Sequence, residues 1–334
     1  MAAGRPQDHL AEGPGLAGLR CRGGREVSEQ PLVWVTTPVY NGERFLTECI
    51  ESVLAQTYEN WQYTIVDNCS SDGTAQIVRD YAARDGRVRL HESGEFLPII
   101  ANWNRALRLI PSEVKYCKVV HADDTLFPEC LERMVDVAER NPSVALVTSY
   151  ALWGNEVRHQ GVPYPLEVVD GHEICRSTLE GNCYVFGSPS SLLLRASDVR
   201  ARASFYSEHN VHADTEVCFD LLRDADLGFV HQILTRTRVH DEAMTASSVR
   251  INTFHDAWLM IHIKYGELYL GRREYHRRLV ARLRRYAVFL AKAVIKTKFR
   301  DPRFRRHHRR AVGLLLGSLT SGAVRGRGKA AGRD

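Results

Sequence analysis

Between residues 31 and 128 the sequence alternates short apolar runs with polar loops and stretches of helical periodicity. The runs at 32–37 and 61–66 have the length and apolar content typical of strands buried on both faces, and the short apolar run at 119–120 also favours a buried strand. Each is followed by a polar loop and then by apolar residues at helical spacing, as in 43–56. This repetition predicts a mostly parallel sheet with right-handed helical crossovers.

The apolar run at Val119 and Val120 stops at His121 and the adjacent carboxylates of Asp123 and Asp124. Acids just beyond the carboxyl end of a buried strand lie where open α/β sheets bind ligands. Carboxylate oxygens are hard ligands that suit Mg²⁺ or Mn²⁺. The same pair also fits a solvated turn or the cap of the following helix. These residues alone leave both interpretations open.

The loops after the first two predicted strands carry Tyr40 and Asp67. We expect the first strand to end at Pro38, which has no N–H for a ladder. The two loops and the acidic pair should meet at one edge of the sheet. The chain has neither a G-x-G-x-x-G run after the first strand nor a Walker motif, so a nucleotide would be held in another way. Tyr40 can stack on a base, and Asp67 can accept a hydrogen bond from the base or the ribose.

Several separate motifs then resemble, in the same order, the family 2 glycosyltransferases. The similar segments are residues 37–42 (TPVYNG), 52–58 (SVLAQTY), 66–74 (VDNCSSDGT), 104–106 (NRA) and 121–124 (HADD). The resemblance covers about residues 31–245. It implies an α/β fold of the GT-A type, a Rossmann-like and mostly parallel mixed sheet flanked by helices. Many members begin the last motif with Asp, where this chain has His121, so that Asp123 becomes the expected direct metal ligand.

Site residues follow from the resemblance position by position. The residues expected to bind the nucleotide sugar are Thr37, Pro38, Tyr40, Asn41, Asp67, Asn104, Asp123 and Arg238. The metal would be Mg²⁺ or Mn²⁺, with Asp123, Asp124 and His240 as ligands. Residues 187–191 (GSPSS) are similar to a segment that lies beside the donor sugar and the acceptor in the family, and they also fit a simple turn into a strand.

The family commonly has Glu-Asp at the position of its catalytic base, and this chain has Ala213-Asp214. Asp214 is therefore the expected base, with a helix cap as its structural alternative. Glu216 is the alternative acid. Arg238 and His240 resemble the Arg-x-His end of the catalytic domain. Arg238 also fits a surface ion pair, and His121 fits a packed, hydrogen-bonded histidine.

Charge is distributed unevenly along the chain, whose net charge is +5. Residues 271–334 hold 20 Lys/Arg and 3 Asp/Glu, while the remainder holds 25 and 37. The overall pI is therefore poor evidence for nucleic-acid binding. Residues 279–310 form a cationic amphipathic pattern that fits an anionic membrane surface, a nucleic acid or a solvated helix packed on the catalytic domain. For a glycosyltransferase we favour the membrane, because many acceptors are lipid-linked glycans, and nucleic acid is disfavoured.

Eight scattered cysteines without zinc-type spacing indicate a reducing compartment. No apolar run approaches the roughly 18 residues of a spanning helix, and the amino terminus lacks the apolar core of a signal peptide. We therefore expect a cytoplasmic protein, peripheral on the inner face of the plasma membrane if the basic segment binds lipid. The predicted regions are a disordered leader (1–30), a GT-A domain (31–248), a basic helical extension (249–319) and a disordered tail (320–334).

The predicted function is metal-dependent, inverting transfer of a sugar from a UDP-, dTDP- or GDP-sugar to a hydroxyl acceptor. The acceptor would be a glycan or a lipid-linked glycan, in the synthesis of cell-surface polysaccharide, lipopolysaccharide or another glycan. The alternative is a non-catalytic protein that binds sugar nucleotides or acts as an assembly partner, because His121 and Ala213 depart from the family pattern.

Overall fold

A ten-stranded mixed sheet forms the centre of the computed structural model, which describes residues 30–241 and 243–320. The strands are β1 (Val33–Val39), β2 (Trp61–Asp67), β3 (Val88–Glu92), β4 (Tyr116–Val119), β5 (Thr125–Leu126), β6 (Val144–Trp153), β7 (Glu156–Arg158), β8 (Val168–Val169), β9 (Leu193–Arg195) and β10 (Asp226–Thr237). Their order is β3-β2-β1-β4-β9-β6-β10-β5, with β7 on β6 and β8 on β10.

Helices connect most of these strands and cover the sheet. They are α1 (Glu43–Leu54), α2 (Thr74–Ala82), α3 (Ile99–Arg108), α4 (Cys130–Arg140), α5 (Gly171–Glu180), α6 (Ala196–Arg200), α7 (Ala213–Leu221), α8 (Met244–Ile251), α9 (Phe254–Tyr269), α10 (Arg272–Ile295) and α11 (Pro302–Thr320). One core cluster contains residues of α1, α2 and α4, and the other contains residues of α3, α5, α7 and α9. The predicted α/β class is confirmed.

The pairing pattern places one set of strand ends at a single edge. Strands β3, β2, β1 and β4 are parallel, and β6 is parallel to β10. Because β9 runs antiparallel to both β4 and β6, these two groups point the same way. The loops after β1, β2, β4, β6 and β10 therefore open at the edge where α/β sheets bind ligands.

The first strand does not end at Pro38 as expected; it continues to Val39, with Pro38 opposite Val66 of β2. The carbonyl of Thr36 accepts a hydrogen bond from the N–H of Val120, so the backbone groups of Thr36 point towards β4. The backbone nitrogen of Pro38, two residues later, points the same way but lies beyond the end of β4. No ladder donor is needed there, and the proline is tolerated.

Residues 151–170 contain the end of β6 and the two short strands β7 and β8. Strand β6 continues to Trp153 and turns at Gly154 (φ +59°) into the short strand β7. The Gly-Asn pair at 154–155 is a common hairpin turn, because both positions tolerate positive φ. Strand β8 then pairs with β10.

The helices that follow residue 249 pack against the core of the sheet. The ring of Tyr265 on α9 stacks on Phe219 of α7 at 5.3 Å, and the hydroxyl of Tyr269 donates to the Phe219 carbonyl at 2.7 Å. Helix α11 joins this assembly through a hydrogen bond of 2.9 Å between Tyr286 and His308.

Among the helices that the structure describes, none has both the length and the apolar content needed to cross a membrane. The predicted leader apart from Gln30 and the predicted tail beyond residue 320 lie outside the described residues.

Candidate active site

The acidic loop (residues 120–124) follows β4 and is fixed by one hydrogen bond within the loop and by two bonds to other segments. The Thr37 hydroxyl donates to the Val120 carbonyl at 2.7 Å, and the N–H of Asp124 donates to the His121 carbonyl at 3.0 Å. The N–H of His121 donates to the Ser190 hydroxyl at 2.9 Å. The loop precedes the short strand β5, and α4 begins only at Cys130, so the acids do not cap that helix.

The carboxylate of Asp124 is 2% exposed and accepts from the backbone N–H of Arg238 at 3.2 Å. Burial and the neighbouring charge of Asp123 raise the pKa of Asp124 to about 7. Two carboxylates held this close repel one another, and a bound cation relieves that repulsion. The electrostatics of the loop therefore favour a positively charged ligand.

His121 lies against the indole of Trp103, with the ring centroids 4.7 Å apart. Burial lowers the pKa of His121, so the ring is neutral at neutral pH. Its Nε2 atom is buried and has no hydrogen-bond partner among the described residues. One ligand atom from each of His121, Asp123 and Asp124 lies within 4.8 Å of the others. This donor set fits a divalent cation. Because Nε2 has no partner in the part of the chain that the structure describes, His121 is not a packed histidine whose ring nitrogens are both hydrogen-bonded.

The residues after β10 close the other side of the acidic loop. Arg238 donates from Nε to the Asp123 carbonyl at 3.3 Å and pairs with Glu48 at 2.5 Å. His240 places Nε2 2.9 Å from Oδ2 of Asp123. The Phe45 ring packs under both side chains, with its centroid 4.7 Å from the guanidinium carbon and 4.8 Å from the imidazole.

A pair of aromatic rings marks the loop after β1. Tyr40 and Phe96 meet edge to face at 5.0 Å and are both more than half exposed. Beside them, Asn41 accepts from the N–H of Ser71 at 2.9 Å, which ties the β1 loop to the β2 loop. Asp67 at the end of β2 is buried, and its Oδ1 atom has no partner among the described residues.

Two predicted nucleotide-binding residues lie inside the fold. Thr37 is fully buried and bonds to the Tyr63 hydroxyl at 2.7 Å. Asn104 is 1% exposed, and its amide donates to the Tyr206 carbonyl at 2.8 Å and accepts from the Tyr206 N–H at 2.8 Å. These bonds hold α3 against the segment around Tyr206, and neither Thr37 nor Asn104 lines the cavity beside the acidic loop.

The acidic-loop cavity has a volume of about 380 Å³. It is lined by eight of the predicted site residues, namely Pro38, Tyr40, Asn41, Asp123, Asp124, Asp214, Arg238 and His240. Asp67 lies outside its lining, next to the lining residue Asn68. The structure therefore brings together predicted residues from four separate segments of the chain, and their roles stay predictions.

Asp214 lies in the first turn of α7, which is capped at His212 and not at Asp214. Its Oδ1 atom accepts from the N–H of Thr215 at 2.7 Å. Burial raises the pKa of Asp214 to about 6. A carboxylate of this kind is ionised at neutral pH and is a stronger base than an exposed aspartate.

Asp214 also lines a second and larger cavity, the aromatic cavity, of about 650 Å³. The two cavities share three lining residues, Ser188, Asp214 and Thr237. Gly187 (φ +66°) lies at this shared wall, where a Cβ atom would come within 2.3 Å of the His159 ring. Only glycine permits so close an approach.

The model of the family described as glycosyl transferase family 2 matches residues 34–198. That stretch contains the acidic loop, the aromatic pair and the segment at 187–191. The chain contains a family 2 glycosyltransferase domain.

Relatives and solved structures agree with this family assignment. The putative glycosyltransferase EpsE of Bacillus subtilis is 32% identical over 156 residues, which are 45% of this chain and 55% of EpsE. The chain thus spans about half the length of this curated relative. A structure of Staphylococcus aureus TarS 1-349 in complex with UDP-GlcNAc superposes with a TM-score of 0.62 at 16% identity, over 86% of this chain and 81% of that one.

The mannosyltransferase PcManGT from Pyrobaculum calidifontis, solved with GDP-Man and Mn²⁺, has a TM-score of 0.51 at 14% identity. The match covers 90% of each chain. These likenesses establish the GT-A fold of the glycosyltransferase domain, as the sequence motifs implied.

Phe96, Asn102 and Trp103 are among the residues that line the acidic-loop cavity and that sequence reasoning did not single out. Asn102 and Trp103 belong to α3, the helix that also carries Asn104. They directly precede residues 104–106, which carried the resemblance. Asn102 is 4% exposed, and its Oδ1 atom has no partner among the described residues. Helical periodicity could have shown that residues 102 and 103 face a different side from residue 104.

Proposed function

We propose that this chain transfers a sugar from a nucleotide diphosphate sugar, with UDP as the first choice of nucleotide, to a hydroxyl group of a glycan acceptor, with inversion at the anomeric carbon. One observation carries the proposal. Asp214 lines both cavities at once, so a single carboxylate faces a pocket with acidic and aromatic groups and a larger pocket lined by aromatic and hydroxyl groups.

The acidic-loop cavity is the donor site in this proposal. Tyr40 and Phe96 offer exposed ring faces on which a base can stack. Asp67 offers a buried acceptor oxygen for an N–H of the base. TarS, which shares the fold, has been solved with UDP and with UDP-GlcNAc, and this supports UDP as the first nucleotide to test.

Asp123, Asp124 and His121 fit a divalent metal, for which Mg²⁺ and Mn²⁺ are the candidates. PcManGT was solved with GDP-Man and Mn²⁺, which supports Mn²⁺ as a metal to test. A metal bound there would neutralise negative charge that develops on the departing diphosphate. Arg238, which lines the same cavity and is paired with Glu48, would add a positively charged hydrogen-bond donor.

Asp214 acts as the general base in the proposed reaction. It takes the proton from the acceptor hydroxyl while the oxygen attacks the anomeric carbon, and the diphosphate leaves from the opposite face. Glu216, the alternative acid, bonds to Asn210 at 2.7 Å and pairs with Lys264 at 2.8 Å. It lines neither cavity, so Asp214 is the better candidate.

The deciding experiment is a donor panel. UDP-, dTDP- and GDP-sugars are compared for thermal stabilisation and for slow release of the free nucleotide, each with Mn²⁺, Mg²⁺ or EDTA. We expect one nucleotide to stabilise the protein in a metal-dependent way and to be released by hydrolysis. Stabilisation without any release, with acceptors present or absent, would favour the non-catalytic binding protein. If no donor stabilises the protein and none is hydrolysed, the acidic-loop cavity is not a donor site.

A separate proposal concerns the membrane. Arg277, Arg284, Val288 and Ile295 follow one another at helical spacing and are all exposed on α10. The side of α10 that carries them combines positive charge with apolar groups, and an anionic bilayer complements both. We propose that α10 and α11 hold the enzyme on such a surface, close to a lipid-linked acceptor.

Vesicles that contain phosphatidylglycerol are compared with vesicles of phosphatidylcholine alone in a sedimentation assay. Each basic residue near the surface contributes about 1 kcal/mol, or roughly fivefold in affinity. Charge reversal in Arg284→Glu, or in Lys298→Glu between α10 and α11, should therefore weaken binding by more than roughly fivefold. Arg79→Glu, on the distant helix α2, is the matched control. Equal binding to both kinds of vesicle would refute the proposal.

A further inference from the structure

The aromatic cavity is a second binding site whose ligand is not specified by the family match. It is built in part by helices that follow the matched region 34–198, because Phe254, Ala257, Trp258 and Ile261 of α9 line it. The remaining walls come from the end of β6, the segment at 184–191 and the start of α7. The part of the chain after residue 249 therefore shapes the site next to the proposed base.

Aromatic rings from separate elements dominate this cavity. Trp153, Tyr184, Phe254 and Trp258 all line it, and Tyr184 and Trp258 meet edge to face at 6.0 Å. The guanidinium of Arg282 lies 5.4 Å from the Trp258 ring but is not part of the lining, and it helps to fix the ring in place. Flat apolar faces of this kind bind the C–H faces of pyranose rings, which are also apolar.

Hydroxyl groups complete the surface. The Oγ atoms of Ser188 and Ser191 are buried and have no hydrogen-bond partner among the described residues. Both serines line the cavity, and the Tyr184 hydroxyl is held 2.8 Å from Thr215 beside them. Buried polar groups are normally satisfied, so these two hydroxyls indicate a ligand that brings its own hydrogen-bonding groups.

Charge in the lining is sparse. Arg158 and Asp214 are the charged residues that line it among those described, and Arg158 is paired with Glu156 at 2.5 Å. His159 and His212 are neutral at neutral pH, because burial lowers the pKa of each to about 4. An anionic ligand would face the Asp214 carboxylate without an unpaired cation in the described lining to compensate.

We propose that the aromatic cavity binds the uncharged pyranose end of the acceptor glycan, stacked on Trp258, and that helix α9 thereby selects neutral over anionic acceptors. The inference rests on the proposed transferase function and names its acceptor class. An acceptor hydroxyl in this cavity would face Asp214, and the donor sugar would reach the same carboxylate from the other side of the wall formed by Ser188 and Thr237.

The test is saturation-transfer NMR on the full chain in the presence of saturating UDP and Mg²⁺, which is diamagnetic and does not broaden the ligand signals. The probes are the methyl glycosides of glucose, galactose, mannose and N-acetylglucosamine, against those of glucuronic and galacturonic acid. We expect signal from at least one neutral glycoside and none from the uronates. Equal or stronger signal from the uronates, or none from any neutral glycoside, would overturn the inference.

Variants at one position then test the stacking. Trp258→Ala should weaken the glycoside that binds by about tenfold, which corresponds to about 1.4 kcal/mol. Trp258→Leu keeps most of the volume and removes the aromatic face, so it should lose binding even if the alanine variant folds poorly. Trp258→Phe should retain most of the binding. Leu268→Ala, at an exposed position of α9 outside the lining, is the matched control.

UDP binding and donor hydrolysis are measured on every variant. If neither occurs in the unchanged protein, the proposed function fails and the acceptor inference fails with it. If both are normal while Trp258→Leu binds the neutral glycoside as well as the unchanged protein does, only the acceptor inference is refuted.

Discussion

The imidazole of His240 lies 2.9 Å from a carboxylate oxygen of Asp123, a residue 117 positions earlier in the chain. With Nε2 as the donor, this bond fixes one oxygen of Asp123 and leaves the other for the cavity. The bond joins the end of β10 to the loop after β4. His240 thus positions a carboxylate that belongs to the candidate metal site.

The first prediction concerns this contact. Groups that hold a ligand in place typically change metal affinity 10- to 100-fold, so His240→Ala should weaken Mn²⁺ binding by about that factor. Asp123→Ala should abolish metal-dependent donor binding. Isothermal titration with Mn²⁺, with and without UDP, measures both. If the two variants lose affinity equally, His240 is a ligand in its own right; if His240→Ala has no effect, the contact has no role in the metal site.

Asp214→Asn should reduce turnover by about 10²- to 10⁴-fold, the usual contribution of a general base. Donor affinity should change little, because the amide keeps the shape of the carboxylate. Steady-state kinetics and UDP titration on the same preparation separate the two effects. Glu216→Gln is the control and should keep most of the activity. Near-normal turnover in Asp214→Asn would remove Asp214 as the base.

The pH dependence of the reaction should follow the ionisation of Asp214. Because the base acts as a carboxylate and burial raises its pKa to about 6, the acceptor kcat/KM should rise with pH up to about 6 and level off above it. Rate profiles at subsaturating acceptor measure this limb. A profile already flat at pH 5 would mean that the pKa of the base in the free enzyme lies lower.

The same shift has a consequence for stability. The pKa of Asp214 is higher in the folded protein than its ordinary value of 3.8, so the folded state binds the proton more tightly. Protonated Asp214 therefore stabilises the folded protein at low pH, and this stabilisation is lost as pH rises from about 4 through about 6. Asp214→Asn removes this loss and should melt at a higher temperature than the unchanged protein at pH 7.5 but not at pH 4. Equal melting temperatures for the variant and the unchanged protein at pH 7.5 would contradict the raised pKa of Asp214.

Asn104 and Asn102 lie two positions apart on α3 and should respond oppositely to substitution. Asn104→Ala leaves the buried N–H of Tyr206 without its acceptor, which costs about 1–3 kcal/mol of unfolding free energy. Donor affinity should be unchanged. Asn102→Ala should weaken donor binding with a smaller loss of stability. Chemical denaturation and UDP titration measure the pair. Lost donor affinity in a folded Asn104→Ala variant would restore the nucleotide-binding role predicted for it.

The strand ends were predictable because buried parallel strands are short, apolar and followed by polar loops. Val119 and Val120 locate β4, and the position of Asp123 and Asp124 at the binding edge follows from the geometry of parallel sheets. The same rule placed Tyr40 and Asp67 correctly at the ends of β1 and β2. Motif order then supplied the fold type, which the solved structures confirm.

Other features depend on contacts that no local pattern encodes. A motif position indicates which segment approaches a ligand but not which face of its helix does so, and Asn104 therefore turned out to face Tyr206. Phe96 lies in a segment without clear periodicity and meets Tyr40 only in the fold. The aromatic cavity joins Trp153 to Trp258 across 105 positions, a distance beyond any spacing argument.

The wall that Ser188, Asp214 and Thr237 share between the two cavities has a practical consequence. One side is formed by the β1–β4 loops and the other by residues of β6 and α9, so each pocket can be altered without rebuilding the other. Substitutions confined to the α9 residues that line the aromatic cavity, such as Trp258, leave the buried face of α9 and the acidic-loop cavity unchanged. Under the proposed function, acceptor choice could then be engineered without changing donor choice.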